Sequence, residues 1–365
     1  MHFKHLLLIS VISWSLLSFA STVEAKTSTD IKANIEGKAK QYLINHVKQT
    51  KAPSLSVAAA HNGKLLFAIA EGYADKSKKL KATTSTQYRT GSVSKVIGTT
   101  AFMPLIEQGK VKLSDKIVSY LPYLPKHYKN IEIKHLLTHT SGIRHYRFGE
   151  YGTNIEYPTL EDATKVFRDS TLEFQPGTSY RYTTYGINLI IGVIEKTSKM
   201  PFKNYMDKQL FKPLKMINTE LEIKGNDISN YAIGYRSLMK SMPVKEINVS
   251  NKYIGGGMRT TPTDLVNMVL AIQDNKIFNE QTKALMLSVP FPKTAPDRAL
   301  GWRYLERKGQ LGFLHTGGIN GFESFLMHFL KDDITIAVMV NQDDYDYTGS
   351  TLYSLFDLVK THIKH

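Results

Sequence analysis

Apolar residues at two different spacings mark the first elements of the chain. Residues at helical spacing predict an amphipathic helix that Thr29-Asp30 can cap and that ends before Pro53. These residues are Ile31, Ile35, Tyr42, Leu43 and Val47. Two short apolar runs follow, Ser54–Ala60 and Lys64–Gly72, joined by His61-Asn62-Gly63. Asn-Gly between two such runs is a strong hairpin signal, so the chain is predicted to open with a helix and a β-hairpin.

The middle of the chain is predicted to be helical. From Val93 to Gln108 the pattern has helical spacing, with a kink expected at Pro104 and a stop at Gly109. Residues up to about 250 read as helices and loops broken by Pro and Gly, including a helix over Tyr185–Thr197. This stretch is predicted to form a separate helical lobe.

Strand patterns return in the last third. A helix near Pro262–Asp274 is followed by strand-like runs at Gly312–His315, Phe322–Leu330 and Ile334–Asn341. A final helix carries apolar residues on one face: Leu352, Leu355, Phe356, Val359 and Ile363. The predicted class is α+β, an antiparallel sheet flanked by N- and C-terminal helices with an inserted all-helical lobe. The sheet lobe would span about 26–89 and 251–365, and the helical lobe about 90–250.

The first 25 residues have the features of a cleaved secretory signal peptide. A basic Lys4 precedes the apolar run Leu6–Ala20, and Val23-Glu24-Ala25 places small residues at a cleavage site. The run of 15 residues is shorter than the roughly 20 that span a bilayer, which favours cleavage over anchoring. The sequence therefore predicts an exported protein, either periplasmic or secreted.

Composition narrows the class of protein further. With 365 residues, 42% hydrophobic and 22% charged, the chain is typical of a folded globular protein. The absence of cysteine excludes disulfides and a thiol nucleophile. The net charge of +15 favours anionic neighbours such as envelope polymers or acidic lipid surfaces. Predicted export, and the lack of a basic motif interleaved with aromatic residues, argue against a nucleic-acid partner.

Ser92 and Lys95 form the sharpest candidate site. They lie three residues apart at the start of a predicted helix, so their side chains share one face and can form a hydrogen bond. Burial beside the positive end of a helix disfavours the ammonium form, which lets the amine accept the serine proton. Because Ser-x-x-Lys is common on solvent-facing helices, the motif needs support from the rest of the chain.

Two motifs further along the chain supply that support. Tyr182-Thr183-Thr184 follows a turn at Phe174–Gly177, and a phenol near a lysine ammonium can ionise more easily and relay a proton. His315-Thr316-Gly317-Gly318 ends one strand-like run and precedes another. Its glycines allow a substrate backbone to approach an exposed N–H, and His315 with Thr316 can orient a carboxylate or carbonyl.

Taken together in this order and spacing, these motifs resemble the serine penicillin-binding-protein and class C β-lactamase family. The resemblance covers nearly all of the chain after the predicted signal peptide. It is carried by Tyr88–Lys95, Phe174–Thr184 and His315–Gly321, with further signatures at His135–Ile143 and Gly255–Leu265. The continuation Arg144-His145-Tyr146 is more similar to the serine β-lactamase-like protease of mitochondria and its bacterial relatives than to drug-degrading β-lactamases.

The resemblance implies a role for each motif. Ser92 would be the nucleophile, and Lys95 and Tyr182 the proton-transfer partners, with the choice of base left open. The backbone N–H groups of Ser92 and Gly318 would form the oxyanion hole. Substrate would contact Thr184 and the His315–Gly318 segment in a cleft between sheet and helical lobe. No metal or other cofactor is implied.

Two departures from the family pattern predict a change in substrate. Thr184 stands where the Tyr-x-Asn motif has its asparagine, so the side-chain amide that usually reads a substrate amide is missing. His315 stands where the Lys-Thr-Gly motif has lysine and is mostly uncharged at neutral pH. We therefore expect a peptidase or esterase, acting on a small peptide, ester or lactam, with weak β-lactam turnover.

Other interpretations stay open at this point. A β-lactamase or D-Ala-D-Ala carboxypeptidase is the alternative enzyme, and a non-catalytic relative that binds cell-wall peptides or forms a scaffold is the alternative of another class. His135 and His139 are four residues apart, as zinc ligands on a helix are, but no Glu follows His135 as in a metalloprotease. Loop histidines that order the chain beneath the cleft are favoured there. The oligomeric state is not determined.

Overall fold

A computed structural model describes residues 32–237, 242–307, 309–343 and 348–363. The predicted signal peptide and the cap at Thr29-Asp30 lie outside this range. Helix α1 covers 32–50, and the hairpin follows as predicted, with β1 at Ser54–His61 and β2 at Lys64–Asp75. Asn62 and Gly63 both have positive φ, 47° and 70°, as a two-residue hairpin turn requires. The hairpin prediction is confirmed.

Seven strands form one antiparallel sheet in the order β3-β2-β1-β10-β9-β8-β7. The remaining members are β3 (Leu80–Lys81), β7 (Arg303–Arg307), β8 (Gln310–Ile319), β9 (Phe322–Phe329) and β10 (Ile334–Val340). The first and last parts of the chain meet where β1 pairs with β10. The prediction of an antiparallel sheet built from both ends of the chain is confirmed.

Helices cover both faces of this sheet. Alternate residues of β1 point to opposite sides, so Leu55 and Val57 pack against α1 and the C-terminal helix, while Ala58 and Ala60 face the larger core. The C-terminal helix α12 (Thr348–Ile363) buries Leu352, Leu355, Phe356 and Val359, the apolar face that its sequence predicts. Burial on both faces explains why every residue of β10 is buried.

The described chain between strands β4 (Tyr88–Arg89) and β6 (Met258–Thr260) is mainly short helices and loops. The helices are α2 (Ser94–Glu107), α3 (Ile117–Tyr120), α4 (Ile133–Leu137), α5 (Leu160–Thr164), α6 (Thr184–Asn188), α7 (Ile190–Ser198), α8 (Phe202–Met206) and α9 (Tyr253–Gly256). After β6 come α10 (Pro262–Gln273) and α11 (Glu280–Met286). Pro104 lies inside α2, as expected. The predicted limits of the two lobes stay a prediction.

None of the helices within the described ranges is long and apolar enough to cross a membrane.

A three-stranded sheet, β4-β6-β5, supports the start of α2. Its strands are β4 (Tyr88–Arg89), β5 (Glu220–Leu221) and β6 (Met258–Thr260). Glu222 accepts hydrogen bonds from the buried Arg89 and lies 3.1 Å from Nε of the buried Arg259. This carboxylate joins all three strands, and the two arginines hold its pKa below the ordinary value although burial alone would raise it.

Two sequence predictions need correction. The helix predicted over Tyr185–Thr197 is divided into α6 and α7 at Leu189. The segment His315–Gly318 does not end a strand but lies inside β8, which pairs with β9 as far as Ile319. The three-dimensional packing explains this: β9 supplies hydrogen-bond partners to a glycine segment that would not form a strand by its own propensity.

Candidate active site

Ser92 lies in a tight turn immediately before α2. The 3₁₀ turn Gly91–Val93 follows β4, and Gly91 adopts a φ of 48°, a conformation that favours glycine. Ser92 is partly exposed, whereas Lys95, one turn later on α2, is fully buried. Lys95 Nζ lies 3.0 Å from Ser92 Oγ. The structure therefore brings these two residues together as the sequence spacing predicts.

Three oxygen atoms surround the Lys95 amine. Besides Ser92 Oγ, Nζ donates to the carbonyl of Gly255 at 2.5 Å and contacts Thr184 Oγ1 at 3.5 Å. No carboxylate in the described part of the chain forms an ion pair with it. Burial, and secondly the positive charge of Lys252, lower the pKa of Lys95 well below its usual value.

Tyr182 contacts the same serine oxygen. Its hydroxyl donates to Ser92 Oγ at 2.6 Å, and its ring packs against His139 with 4.5 Å between the ring centroids. Burial raises the pKa of Tyr182 above its ordinary value, and only smaller effects oppose this. The expectation of an easily ionised phenol was wrong, because loss of solvent outweighs nearby positive charge. Tyr182 is therefore a proton donor at neutral pH.

The glycines of β8 lie directly against the Ser92 turn. A Cβ atom at Gly317 would lie 2.1 Å from the Thr90 carbonyl oxygen and 2.9 Å from the Ser92 nitrogen. A Cβ at Gly91 would lie 2.8 Å from the Gly318 nitrogen. Among the described strands, β7 pairs with β8 only as far as Leu314, so on that side the rest of β8 is an edge. The two backbone nitrogens proposed from the sequence, Ser92 and Gly318, are thus held close together.

His315 and Thr316 occupy opposite faces of β8. His315 is buried, with Nδ1 2.7 Å from the Thr316 carbonyl oxygen, whereas Thr316 is exposed. Burial lowers the pKa of His315 to about 3. The imidazole is therefore neutral at pH 7, as expected, and cannot replace the positive charge of a lysine.

A pocket of about 240 Å³ opens over Ser92. Its lining includes four residues predicted from the sequence: Ser92, Tyr182, Thr184 and Gly318. Lys95, His315, Thr316 and Gly317 are not in the lining. Residues that were not predicted as site residues complete the wall: Gly91, His145, Tyr146, Tyr151, Lys252, Gly255, Gly256 and Ile319.

Some of these additional residues lie in segments that carry the family resemblance in the sequence. Gly255-Gly256-Gly257 and Arg144-His145-Tyr146 were noted as family signatures but were given no role. A Cβ at Gly255 would lie 2.2 Å from the Thr184 side chain, so glycine is needed where this carbonyl receives Lys95. Lys252 had no local signal, because it is one of 47 basic residues in the chain.

The two candidate zinc ligands belong to different elements. His135 lies in α4, where its Nδ1 accepts the backbone N–H of Glu132 at 3.0 Å. His139 lies beyond the helix with a φ of 59°, and its Nδ1 accepts the N–H of Thr183 at 3.3 Å. The described residues contain no group of three or more potential metal ligands. The hydrogen bond from Thr183 and the ring contact with Tyr182 connect His139 to the segment that carries Tyr182.

Comparison with known proteins identifies the family to which this chain belongs. The Beta-lactamase family profile matches residues 39–358. Protein flp of Staphylococcus aureus (strain MRSA252) is 28% identical over 311 residues, which cover 82% of this chain and 62% of that protein. A protein named Beta-lactamase from Escherichia coli (strain K12) is 29% identical, covering 65% of this chain and 60% of its own length. The chain spans about three fifths of these relatives.

Solved structures show the same fold. The octameric penicillin-binding protein homologue from Pyrococcus abyssi has a TM-score of 0.76 at 23% identity, covering 89% of this chain and 77% of that one. The D-amino acid amidase from Ochrobactrum anthropi SV3, in complex with D-phenylalanine, has a TM-score of 0.77 at 21% identity, covering 91% and 99%. This chain belongs to the Beta-lactamase family and has the fold of these solved structures.

Proposed function

We propose that the protein is an exported serine hydrolase that forms an acyl-enzyme on Ser92 and acts as a peptidase or esterase with weak β-lactam turnover. The observation that supports this most directly is the position of Ser92 Oγ, 3.0 Å from Lys95 Nζ and 2.6 Å from the Tyr182 hydroxyl. A nucleophile within reach of a base and of a proton donor is the arrangement that acyl transfer needs.

Lys95 is the better candidate for the base. A neutral amine has two N–H donors and one lone pair, and its three neighbours match that set. The Gly255 carbonyl and the Thr184 hydroxyl accept from Nζ, and Ser92 Oγ, which accepts from Nζ in the structure, can turn its own hydrogen toward the lone pair once the amine is neutral. The lowered pKa of Lys95 and the raised pKa of Tyr182 support the same assignment.

The proposed reaction has two steps. Lys95 takes the proton of Ser92 as Oγ bonds to the substrate carbonyl carbon, and the N–H groups of Ser92 and Gly318 stabilise the negative oxygen that forms. The bond to the leaving group then breaks as Tyr182 donates a proton to the leaving atom and regains one from the Lys95 ammonium. Water, deprotonated by Lys95, then attacks the ester carbonyl carbon, and the bond to Ser92 Oγ breaks as Lys95 returns the proton to Oγ, which releases the acid.

Weak β-lactam turnover follows from two neutral side chains. His315 has a pKa of about 3, so it offers no charge to a penicillin carboxylate at pH 7. Thr184 is occupied by its contact with Lys95 and has no amide group. Hydrolysis of nitrocefin at a rate typical of resistance enzymes would contradict this part of the proposal.

The first experiment is covalent labelling read by intact mass. The mature protein is treated with a fluorophosphonate and, separately, with a penicillin, beside Ser92→Ala and the control Ser85→Ala, whose serine is exposed and outside the pocket. We expect a phosphonate adduct on the wild type and on Ser85→Ala, none on Ser92→Ala, and a long-lived penicillin adduct. A folded sample that forms neither adduct would favour a non-catalytic, peptide-binding relative.

Export and contact with anionic surfaces are also proposals. The signal-like segment at residues 1–25 supports a periplasmic or secreted location, and the net charge of +15 supports attraction to anionic envelope polymers or lipids. Expression of the protein with its native N-terminus tests export, because the mass of the exported product shows whether residues 1–25 have been removed. Sedimentation with anionic vesicles tests the second, and binding should weaken as salt is raised.

A further inference from the structure

Lys252 is a buried lysine in the wall of the Ser92 pocket. It lies directly before α9 and is 1% exposed, and its side chain reaches the loop that follows Arg144-His145-Tyr146. Nζ donates one hydrogen bond, to the Tyr151 carbonyl at 2.7 Å. It also lies 4.8 Å from the Tyr146 ring centroid and 5.0 Å from that of Tyr151.

No acidic side chain among the described residues forms an ion pair with this ammonium. Every ion pair found among the described residues involves other lysines and arginines, so the charge of Lys252 is balanced only by a carbonyl and two ring faces. An ammonium has three N–H donors, and a buried cation without a counter-ion is costly unless something else compensates it. Burial, and secondly Arg89, lower the pKa of Lys252 to about 8, so it stays largely protonated at pH 7.

Side-chain contacts connect Lys252 to the residues around Ser92. Tyr146 connects it to Thr184, because the Tyr146 ring lies against Lys252 and its hydroxyl interacts with the Thr184 side chain. Thr184 in turn contacts Lys95. The Tyr182 ring contacts His145 in this wall, with 5.6 Å between the ring centroids, but its hydroxyl, which in the proposed mechanism gives a proton to the leaving group, is directed at Ser92 Oγ. We therefore relate the wall to the acyl part of the substrate.

We propose that Lys252 is a specificity residue that binds a carboxylate carried by the acyl group of the substrate. The inference rests on the proposed acyl-enzyme function. His315 is neutral and Lys95 must lose its proton to act as base, so Lys252 is the lining residue that offers a lasting positive charge. An anionic acyl group would supply the missing counter-ion, and the net charge of +15 would attract it.

The test uses two fluorophosphonates that differ in one group. Both carry the same alkyl chain on phosphorus, ending in a carboxylate in one and in a carboxamide in the other. The second-order rate of Ser92 modification is read by intact mass. We expect the wild type to favour the carboxylate by about 10- to 100-fold, the range that a charge-assisted hydrogen bond supplies.

Three variants isolate the contribution of Lys252. Lys252→Met should lose the preference while still reacting with the carboxamide reagent, and Lys252→Arg should retain part of it. Lys224→Met, which removes an equally charged but exposed lysine paired with Glu156, should leave the preference unchanged. Equal rates for both reagents in the wild type, or an unchanged preference in Lys252→Met, would overturn the inference. Failure of both reagents to label Ser92 would instead overturn the proposed function.

A pH series and a leaving-group pair complete the test. Lys252 is charged below its pKa, so the preference should hold at pH 6–7 and disappear as the pH rises through about 8. The other titratable groups around it are Arg89, Lys95, His145, Tyr146 and Tyr151. Aryl phosphonates with a carboxylate or carboxamide on the leaving group should show no Lys252-dependent preference, and such a preference would contradict the acyl-side assignment.

Discussion

At the scale of residues, the surroundings of each side chain in this site determine its protonation state. Burial and the positive charge of Lys252 favour the neutral amine of Lys95, and no carboxylate among the described residues forms an ion pair with it. Tyr182 keeps its proton because burial raises its pKa. The serine oxygen is thereby held between a group that accepts a proton and a group that donates one.

Lys95→Arg tests the need for a neutral base. A guanidinium stays protonated in proteins, so it can contact Ser92 but cannot accept its proton. We expect phosphonate labelling and substrate turnover to fall by about 10²- to 10⁴-fold, the usual contribution of a general base. In the wild type, activity should rise with pH as Lys95 loses its proton, and labelling that stays fast in the Lys95→Arg variant would contradict this role.

Gly317→Ala tests the close contact between β8 and the Ser92 turn. The new methyl group would lie 2.1 Å from the Thr90 carbonyl oxygen, so the strand and the turn must separate. We expect about a 10²-fold loss of turnover, comparable to removal of one oxyanion-hole donor. Gly152→Ala is a suitable control, because its Cβ would have only one neighbour, at 3.8 Å. Equal activity of the two variants would show that the contact is not required.

At the scale of elements, α9 and β8 fix the site from two sides of α2. Gly98 on α2 faces Ile254 of α9, and the next residue, Gly255, supplies the carbonyl that accepts from Lys95. Glu222 keeps β4 in place by binding Arg89 and Arg259 of neighbouring strands. The nucleophile turn therefore depends on α9, β8 and β6, which are all distant from it in sequence.

A pair of glycine substitutions tests this packing. Both Gly37 and Gly98 lie in helices, and alanine has the higher helix propensity. Gly37→Ala should stabilise the protein by about 0.5–1 kcal/mol, because its Cβ would meet nothing within 4 Å. Gly98→Ala should destabilise it by about 1–3 kcal/mol, because its Cβ would lie 2.8 Å from the Ile254 side chain. Denaturant unfolding measures both, and equal effects would disprove the packing argument.

At the scale of the whole molecule, the fold buries several histidines as neutral groups. Burial lowers the pKa of His135, His145 and His328 to about 4 and of His315 to about 3, all below the ordinary 6.5. Below pH 6.5 the unfolded chain therefore binds protons that the folded chain does not. The contribution of these neutral histidines to the free energy of unfolding is therefore fully present above pH 6.5, and it decreases as the pH falls toward 4.

The expected result is a melting temperature that falls steadily from pH 6.5 to 4. His328→Gln serves as the comparison, because this histidine is buried beside Thr335, away from the Ser92 pocket. Its removal should reduce the pH dependence of unfolding by up to about one proton. An identical slope in the variant and the wild type, measured by calorimetry, would contradict a neutral buried His328.

The sequence by itself determined the features that depend on local pattern. Asn62-Gly63 specified the hairpin, the apolar face of α12 specified its packing, and Ser-x-x-Lys placed two site residues one helical turn apart. Such features follow from backbone periodicity and turn geometry, which act over a few residues. The resemblance carried by the motifs was also sufficient to identify the family.

Only the tertiary structure decided which residues meet across the chain. His315–Gly318 forms part of a strand because β9 pairs with it, and Tyr182 keeps its proton because neighbouring elements bury it. Lys252 lines the pocket because its side chain packs against the rings of Tyr146 and Tyr151, which are about a hundred residues earlier in the chain. Burial and charge at a site depend on groups brought from distant positions in sequence. No spacing along the chain encodes them, so they appear only once the chain is folded.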